Sequence, residues 1–549
     1  MTTRLLVALA TTLGLLTASP TRAAETTTHD IVIYGGTSAG VTAAIQAARQ
    51  GKSVALIEPA RHLGGLSSAG LGMTDSGKHE VIGGLAREFY RRIKNHYETD
   101  NAWKWEKRDD FKWWSETGDA LWRFEPSVAE ITFRAMLAGT PVTVVEGERL
   151  DLTRWGRKSG TAITEIRMES GRVFQGKIFI DATYEGDLMA KAGVPYHVGR
   201  EANATYGETL NGVQVAQATK HQFLLDIDPW RVPGDPSSGL LPTIQTDGPG
   251  TDGAGDQRIQ AYCFRICLTD VPANRLPWEK PTNYDPLRYE VLRRYLAAGW
   301  KWKEMWRGHH LMPNRKTDTN NSGGFSSDHI GANDAYPEGD YATREAIVKD
   351  HEEYQKGFWY FLATDPGVPA EVREDVNRWG LPRDEFQGTG GWPHALYLRE
   401  ARRMISDHIH TQMDCQLTRE TPQPVGMGSY AIDSHNTQRY VDTRGFVRNE
   451  GDVQVPLAAP YPISYLSIRP RAADCTNLLV PVCCAASHIG YGSVRMEPVF
   501  MILGESAATA ASLALDAGTS VQDVPYPALR RRLLENGQVL EWNKPPAKH

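Results

Sequence analysis

The segment Ile31-Val32-Ile33-Tyr34-Gly35-Gly36-Thr37-Ser38-Ala39-Gly40 decides the fold. Its first four residues form a short apolar run that is typical of a buried parallel strand. Two glycines interrupt the run, and apolar residues then recur at helical spacing from Ser38 to Gln50. A second apolar run, Ser53 to Ile57, leads directly to Glu58. This order of strand, glycine turn, helix, strand and acid predicts a Rossmann-type βαβ unit.

The same residues predict a dinucleotide site. Glycines allow the backbone to turn tightly and to approach a pyrophosphate, and the helix N-terminus offers free N–H groups and the positive end of a dipole. Glu58, 18 residues after Gly40, is placed to accept hydrogen bonds from both ribose hydroxyls, which disfavours NADP. Thr37 stands where the usual Gly-x-Gly-x-x-Gly pattern has glycine.

A second glycine turn distinguishes FAD from NAD. Arg61-His62-Leu63-Gly64-Gly65-Leu66 follows Glu58 almost at once, and such a turn lets the backbone pass close to an extended cofactor. FAD domains of the glutathione-reductase type often carry it. The sequence therefore predicts FAD, bound in part by Gly64, Gly65 and Leu66.

Later segments extend the predicted domain. Strands are expected at Pro141–Val145, Lys177–Ile180 and Leu478–Val480, with Ile163–Met168 and Val173–Phe174 forming a hairpin. A helix rich in small residues is expected from Met496 to Leu515, packed closely on the sheet or on the cofactor. Further cofactor contacts are expected from Val145, Asp181, Ala182, Gly490 and Pro498.

These segments predict an α/β fold. Its Rossmann-type FAD-binding domain is split into N- and C-terminal parts by an inserted α+β substrate domain. We expect a signal peptide at 1–23, the first part of the FAD domain at 24–195, a substrate or cap domain at 196–440 and the second part at 441–549.

The N-terminus predicts export. Leu5–Leu16 is an apolar run of signal-peptide length, too short to cross a bilayer, and Ala23 precedes a plausible cleavage point. There is no Arg-Arg pair, so the general export route is favoured over the twin-arginine route. The protein is expected in the periplasm or outside the cell, without a membrane span after cleavage. The alternative is a cytosolic protein with an apolar start.

The net charge and the cysteine spacing limit the partners and cofactors that are expected. The chain has 549 residues of mixed charge with a net charge of −6, which argues against nucleic acid as a partner. The six cysteines include no Cys-x-x-Cys spacing, so no metal site or iron–sulfur cluster is expected. The adjacent Cys483 and Cys484 are either thiols or a vicinal disulfide.

The middle of the chain contains long loops and many tryptophans. Residues 316–340 form one such loop, which is typical of a lid, a binding loop or disorder. Exposed tryptophans would suggest stacking on sugar rings, whereas buried ones would belong to the core. The tryptophans in question are Trp278, Trp300, Trp302, Trp306, Trp359 and Trp392.

The chain resembles the secreted bacterial FAD-dependent oxidoreductases, some of which are labelled xanthan lyase. Its FAD domain is similar to that of the heterodisulfide reductase flavoprotein subunit. The motifs that carry the resemblance are Arg61-His-Leu-Gly-Gly, Asp181-Ala-Thr-Tyr-Glu-Gly-Asp187, Asn320-Asn-Ser-Gly-Gly-Phe-Ser-Ser-Asp328, Trp392-Pro-His-Ala-Leu-Tyr-Leu-Arg-Glu-Ala-Arg-Arg403, Asp433-Ser-His-Asn436 and Ala486-Ser-His-Ile-Gly-Tyr-Gly-Ser-Val-Arg-Met-Glu-Pro498. The resemblance implies FAD and an inserted substrate domain, but it does not imply a particular substrate.

A flavin oxidoreductase needs a base to take the proton that accompanies hydride transfer. His488, just before the helix expected near the flavin, is the first candidate, with a structural histidine as the alternative. Asp433 and His435 form either a base with its orienting acid or a loop clamp. Arg495 can steady an anionic flavin or substrate oxygen, or cap a helix. Arg399, near Arg402 and Arg403, either receives an anionic substrate or pairs with local acids.

Three functions are consistent with these residues. The leading hypothesis is an exported FAD-dependent oxidoreductase that oxidises a small polar, carbohydrate-like substrate by hydride transfer to the flavin. Its electron acceptor is unknown, with oxygen, a quinone or a periplasmic carrier as options. The alternatives are an FAD-containing lyase or isomerase that acts on an acidic sugar with a redox-neutral flavin, and a non-catalytic sugar-binding protein.

Overall fold

The computed structural model describes residues 25–305 and 311–543. The predicted signal peptide at residues 1–23 and Trp306 lie outside the described residues. The strands are β1 Thr26–Tyr34, β2 Val54–Glu58, β3 Thr143–Glu146, β4 Gly156–Ser159, β5 Ala162–Arg167, β6 Val173–Asp181, β7 Tyr196–His197, β8 Ile266–Thr269, β9 Lys316–Thr319, β10 Arg403–Met404, β11 Pro424–Gly428, β12 Ile432–Ser434, β13 Gln438–Val441, β14 Val447–Glu450, β15 Val453–Val455, β16 Tyr461–Ser464 and β17 Leu478–Leu479.

Helices lie between some of these strands. They are α1 Ser38–Arg49, α2 Gly84–Tyr97, α3 Pro126–Ala138, α4 Asp187–Lys191, α5 Asn203–Tyr206, α6 Glu290–Ala297, α7 Trp302–Met305, α8 Tyr341–Thr364, α9 Ala370–Asn377, α10 Gln412–Cys415, α11 His488–Val494, α12 Glu497–Ala517 and α13 Tyr526–Glu535. The predicted α/β class is confirmed.

The main sheet has the order β3-β2-β1-β6-β5-β4, with β17 beside β6. Strands β3, β2, β1, β6 and β17 are parallel, whereas β4 and β5 are antiparallel additions. Tyr34 is in register with both Ile57 and Asp181, so the carboxyl ends of β1, β2 and β6 lie at one edge. That edge is where a parallel sheet of this kind binds its ligand.

One strand differs from the sequence prediction. Val173–Phe174 and Lys177–Ile180 were expected as separate strands, but they are two parts of β6. The strand continues through Gly176. A Cβ atom at this position would lie 2.8 Å from Val32 Cγ2 on the neighbouring strand, so a glycine is needed here. The glycine therefore marks a close approach between neighbouring strands rather than a break.

Helix α12 packs tightly against α1. A Cβ atom on Gly504 would lie 2.2 Å from the carbonyl oxygen of Ala39, and the hydroxyl of Thr42 donates to the carbonyl of Met501 at 2.9 Å. The helix packs closely through a small residue, as predicted, but the partner in these contacts is α1 rather than the sheet or the cofactor. Although α12 has the length and apolar composition of a membrane span, it is nearly all buried in the protein, as the core helix of a globular domain is.

The inserted region has a hydrophobic core of its own. Four of the six tryptophans named above are buried there. Trp278 stacks on one of the four, Trp359, at a ring-centroid distance of 5.1 Å. The four are Trp300, Trp302, Trp359 and Trp392. Their burial confirms the core interpretation and removes these side chains as a surface for sugar rings.

The long loop of residues 316–340 is folded into the protein rather than lying over it. It begins with β9, which pairs with β8, and Phe325 and Tyr336 are buried in the core of the inserted region. Asp328 is buried as well and contacts residues of the candidate site.

All six cysteines are buried and free, including the adjacent Cys483 and Cys484. Of the two states that the sequence left open for this pair, the structure therefore has the thiols.

Candidate active site

The first glycine loop sits at the carboxyl end of β1. Thr37 is the N-cap of α1: its hydroxyl accepts a hydrogen bond from the N–H of Gly40 at 3.3 Å and donates to the carbonyl of Ala182 at 2.7 Å. Threonine is a good N-cap residue, so it replaces the expected glycine at little cost to the turn. The first-turn amides of α1, which start at Ser38 and Ala39, have no carbonyl partner within the helix.

Glycine is required at two positions of this loop. A Cβ atom on Gly40 would lie 1.8 Å from the carbonyl oxygen of Gly35, and one on Gly36 would lie 2.6 Å from Leu63 Cδ2. These contacts bring the start of α1, the loop and the second glycine turn together. The cradle that they form exists only because no side chain fills it.

Glu58 closes the cradle from the tip of β2. Its carboxylate accepts hydrogen bonds from the N–H of Gly36 at 2.6 Å and from the N–H of Ala60 at 2.7 Å. Burial raises the pKa of the Glu58 carboxyl to about 7 despite these two donors. An acid at this strand tip, with a glycine cradle beside it, fits the pyrophosphate and ribose of a dinucleotide such as FAD.

The second glycine loop is joined to the start of α12. A Cβ atom on Gly65 would lie 2.1 Å from the hydroxyl oxygen of Tyr184. That hydroxyl accepts from the N–H of Leu66 at 2.9 Å and donates to Glu497 at 2.7 Å. Glu497 also accepts from the hydroxyl of Ser67 at 3.2 Å. Gly64 precedes this loop with a left-handed φ of 95°, and Pro498 follows Glu497 in the first turn of α12.

The other predicted cofactor residues fall into two groups. Val145 pairs with Ile57 on the neighbouring strand, and the N–H of Ala182 donates to the carbonyl of Tyr34, so both lie at the ligand edge of the sheet. Asp181 is fully buried at the tip of β6 and accepts from the N–H of Met189 at 2.8 Å, so its carboxylate is occupied within the protein.

Gly490 is in a different place. It lies in α11, where a Cβ atom would be 2.3 Å from the carbonyl oxygen of His410. Its position therefore serves the packing of α11 on the segment before α10.

Four of the five predicted catalytic residues come together. His435 contacts Asp433, with 3.6 Å between Nε2 and the carboxylate, and Arg495 donates to the same carboxylate at 3.3 Å. Arg399 is the fourth residue, and Asp328 links it to this group. Asp328 accepts a hydrogen bond from His435 Nδ1 at 3.0 Å and forms an ion pair with Arg399 at 3.0 Å. The tautomer that makes Nδ1 the donor follows from its carboxylate partner.

The two carboxylates set the protonation of the histidine. Burial and Arg399 act to lower the pKa of His435, but Asp433 and Asp328 outweigh them and raise it above its ordinary value. Burial opposes ionisation of Asp433 in turn, but His435 and Arg495 hold the pKa of its carboxyl well below the usual range. The raised pKa of His435 and the lowered pKa of Asp433 both favour a carboxylate beside an imidazolium.

His488 lies in a neighbouring buried network. Its side chain is 2% exposed, with Nδ1 2.7 Å from Glu400 and Nε2 3.0 Å from the hydroxyl of Ser434. Burial, with Arg403 and Arg200 nearby, lowers the pKa of His488 to about 3. Both ring nitrogens are thus engaged with protein groups. The ring is linked to the cluster through Ser434, next to Asp433, and through Glu400 and Gln260, whose side-chain oxygen accepts from the N–H of His435 at 3.3 Å.

The arginines near Trp392 pair with local acids, as one of the two interpretations expected. Arg399 pairs with Asp328, Arg402 with Asp187 and Glu338, and Arg403 with Glu201 and Glu400.

Sequence reasoning missed several residues of this site. Tyr184 and Asp328 stand in two of the quoted motifs, Asp181–Asp187 and Asn320–Asp328, which was a usable signal. Asp75 and Tyr430 carry no pattern in the sequence, yet their side chains lie among the charges around Asp433.

One group of side chains has the composition of a metal site. Potential ligand atoms of His408, His410 and Asp414 lie within 4.8 Å of one another. Asp414, however, completes a capping box with Thr411 at the start of α10 and pairs with Arg419. The capping box and the ion pair with Arg419 together account for the position of the Asp414 carboxylate.

Comparison with known proteins gives a family match. The model of the family described as FAD dependent oxidoreductase matches residues 30–533. No curated protein matches the chain.

The solved structures described next resemble about a third of the chain. A thioredoxin reductase from T. acidophilum is 19% identical, over 33% of this chain and 40% of its own, with a TM-score of 0.17. The L-proline dehydrogenase from P. horikoshii is 16% identical over 33% of this chain and 59% of its own, with a TM-score of 0.23. The L-amino acid deaminase from Proteus vulgaris is 14% identical over 34% and 55%, with a TM-score of 0.23. The chain thus spans less than two thirds of the length of each structure.

Proposed function

The chain belongs to the FAD dependent oxidoreductase family, and on this premise we propose that it oxidises a small polar, carbohydrate-like substrate at the Asp433–His435 pair. The cofactor is FAD, and the protein is an FAD-dependent oxidoreductase. When bound, FAD would supply the acceptor for a hydride from the substrate carbon. The protein must then bind the substrate, orient it and take up the proton that leaves with the hydride.

One observation carries the proposal. Arg495, which holds Asp433, and Glu497, which holds the second glycine loop through Tyr184 and Ser67, are separated by a single residue at the start of α12. The proton-accepting pair and the predicted cofactor loop are therefore fixed to the same turn of backbone. A base held beside a redox cofactor is what hydride abstraction from a hydroxyl-bearing carbon needs.

The two residues of the pair have different tasks. Asp433 is the more accessible, with a side chain 19% exposed, against 6% for His435. Its carboxylate accepts the hydrogen bond of the substrate hydroxyl. The proton of that hydroxyl passes to the Asp433 carboxylate and from there to Nε2 of neutral His435, 3.6 Å away, and the carboxylates of Asp433 and Asp328 stabilise the imidazolium that forms.

His488 has a positioning role in this proposal. Its ring contacts the Ser434 hydroxyl at 3.0 Å, and that hydroxyl also lies 3.1 Å from the carbonyl oxygen of Gly451. This network holds β12 against its neighbours and so sets the direction of Asp433.

The acidic-sugar lyase alternative is less well supported. It requires a free cation to receive a uronate, but Arg399 and Arg495 are both paired with aspartates. The carbohydrate class now rests on the predicted export and on the polar lining of the site, because the tryptophans of the inserted region are buried. The electron acceptor in our proposal is oxygen, a quinone or a periplasmic carrier.

Anaerobic flavin absorbance tests the proposal. The purified holoprotein is mixed with a panel of neutral sugars and polyols without oxygen, and the yellow flavin band should bleach with at least one of them. Asp433→Asn and His435→Gln should keep FAD but bleach at least about a hundredfold more slowly. Asp119→Asn, which alters a surface carboxylate paired with Arg87 and Arg91, should behave like wild type.

Two results would reject the proposal. Product formed while the flavin stays oxidised would favour a lyase or isomerase. Normal bleaching by both variants would remove the pair from the proton-accepting role.

We also propose export by the general route, with membership of the secreted group that includes proteins labelled xanthan lyase. The Leu5–Leu16 run and the small residues before Ala24 support this proposal. N-terminal sequencing of the protein from its native host should give a chain that begins at Ala24. An intact Met1 in the cytosolic fraction would contradict it.

A further inference from the structure

The phenol of Tyr397 and the carboxylate of Asp433 are held by one guanidinium group. Arg495 donates to the Tyr397 hydroxyl from one terminal nitrogen at 3.1 Å and to the Asp433 carboxylate from the other at 3.3 Å. Because a guanidinium is planar and rigid, the phenol oxygen and the carboxylate are fixed against the same cation. Tyr397 therefore belongs to the candidate site through direct contact with the residue that orients Asp433.

The proton of the Tyr397 hydroxyl is not used within the described parts of the chain. The oxygen accepts from Arg495, which leaves the O–H as a donor, and no described residue places an acceptor within hydrogen-bond distance of it. The residue is buried, with 4% of its surface exposed. Buried donors normally have a partner, so this one points to a ligand.

Two further arginines lie over the Tyr397 ring. The guanidinium carbons of Arg399 and Arg265 are 4.9 and 5.5 Å from the ring centroid, and each arginine is paired with an aspartate of its own. Positive charge near a phenol makes its O–H a stronger donor. Burial nevertheless raises the pKa of the Tyr397 phenol against the effect of the arginines, so the proton stays on the oxygen.

Tyr397 also lies beside the predicted cofactor loop. It forms one small hydrophobic cluster with Leu66, Leu71 and Cys263, and its N–H donates to the carbonyl of Cys263 at 2.9 Å. Leu66 is part of the second glycine turn. The ring is thus fixed between that turn and the Arg495 clamp, which is where the proposed function places the reacting carbon of the substrate.

We propose that Tyr397 is a further catalytic residue, whose phenol donates a hydrogen bond to the same substrate oxygen that gives its proton to Asp433. The inference rests on the proposed function and extends it. As the substrate O–H bond breaks, the proton passes to the Asp433 carboxylate, the hydride leaves the carbon for the flavin, and the C–O bond becomes a carbonyl. The phenol stabilises the negative charge that develops on this oxygen and remains bonded to the carbonyl product.

Tyr397→Phe removes this donor and leaves the ring. The variant should retain FAD, and a sugar or polyol that bleaches the wild-type flavin without oxygen should bleach it about 100-fold more slowly at saturation, as loss of one oxyanion donor does. The concentration that gives half the maximal rate should change less than about threefold, because the hydrogen bond strengthens as charge develops. Tyr526→Phe is the control and should match wild type, because its hydroxyl donates to the carbonyl of Pro424 from the start of α13.

A double variant separates a contact with the substrate from an effect through Arg495. If the phenol acts on the substrate oxygen, adding Tyr397→Phe to Arg495→Lys should slow flavin reduction by a further factor of about ten or more. If the phenol only steadies Arg495, the double variant should be no slower than Arg495→Lys, and that result would overturn the inference.

The outcomes distinguish this inference from the proposed function. Flavin reduction at the wild-type rate in Tyr397→Phe would reject the role of the phenol and leave Asp433 and His435 as the proton-accepting pair. Wild-type flavin that no sugar or polyol bleaches would reject both.

A second substitution covers the case in which Tyr397→Phe loses FAD. Replacing Tyr397 by 3-fluorotyrosine keeps the hydroxyl and makes it a stronger donor, so flavin reduction should become about twofold faster or more while the phenol is protonated. An unchanged rate in the fluorinated protein would overturn the inference.

Discussion

Arg495 holds Asp433 at two points: one guanidinium nitrogen donates to the backbone carbonyl at 2.9 Å and to the carboxylate at 3.3 Å. The other terminal nitrogen donates to the hydroxyl of Tyr397 at 3.1 Å. This fork fixes both the position of β12 and the direction of the Asp433 side chain. It also helps to keep that carboxylate ionised, because the positive charge of Arg495 lowers the pKa of Asp433 and so offsets part of the effect of burial.

Arg495→Lys tests this clamp. Lysine keeps the charge but cannot present two donors in a fixed plane, so flavin reduction should slow by about 10- to 100-fold while FAD remains bound. Arg91→Lys, which alters an arginine paired with Asp119 at the surface, is the matched control and should leave the rate unchanged. Rapid-mixing absorbance measures both. A rate within twofold of wild type for Arg495→Lys would show that the clamp is dispensable.

The pH dependence follows from His435. Its pKa is raised in the folded protein by Asp433 and Asp328, and below that raised pKa the imidazole is protonated and cannot take up the substrate proton. The rate of flavin reduction should therefore rise with pH and level off above the raised pKa. The contribution of this group to stability runs the opposite way, being complete below its ordinary pKa and lost as the pH rises through the folded value.

Asp328→Asn checks the assignment of that pH profile. Removing the carboxylate takes away one of the charges that raise the pKa of His435, so the midpoint of the profile should move to lower pH. Retention of FAD confirms that the variant is folded. A profile with an unchanged midpoint would assign the titration to another group.

Much of the nucleotide-binding unit is encoded locally, and the sequence was sufficient to predict it. The strand, the glycine turn, the helix and Glu58 are adjacent in the chain, and each has its own pattern. The long helix near the C-terminus was also predictable from its length and its small residues. The joining of two strand segments into β6 was not, because Gly176 looks like a break until its neighbour Val32 is known.

The candidate site was only partly predictable. Asp433 and His435 were identified as a pair because they are two residues apart, and the structure confirms that they are in contact. Their partner Asp328 comes from a distant loop, and Asp75 and Tyr430 come from two others. Contacts between distant loops depend on how the domains pack, and a single sequence has no periodicity that reports them. The same reason explains why His488 was ranked above Asp433: the depth of its burial could not be read from its neighbours in sequence.

Gly40→Ala tests the cradle. The added Cβ would lie 1.8 Å from the carbonyl oxygen of Gly35, so the loop must move, at a cost of about 1–3 kcal/mol. We expect a lower Tm and loss of FAD from the purified protein. Gly139→Ala is the control, because its Cβ would meet nothing within 4 Å and its φ of −82° is normal for alanine. Equal FAD content in the two variants would contradict a close approach of backbone to cofactor.

Glu58 links cofactor binding to pH. Burial raises the pKa of its carboxyl to about 7, so near neutral pH the apoprotein holds a mixture of protonated and ionised forms. Ribose hydroxyls donate to the ionised form, so binding FAD favours proton release, and affinity should rise as the pH increases from about 6 to about 8. Without FAD, the same raised pKa means that apoprotein stability declines as the pH rises from the ordinary value of the carboxyl through about 7.

Glu58→Gln separates this linkage from other effects of pH. The amide does not ionise, so FAD affinity should be about tenfold weaker and flat over the same range, because a hydrogen bond to a charged acceptor is replaced by a neutral one. Titration of the apoprotein with FAD, followed by flavin fluorescence, measures both proteins. If the affinity of the wild type were as flat as that of the variant, the ribose contact of Glu58 would be wrong. If the variant kept the slope, the titrating group would lie elsewhere in the cradle.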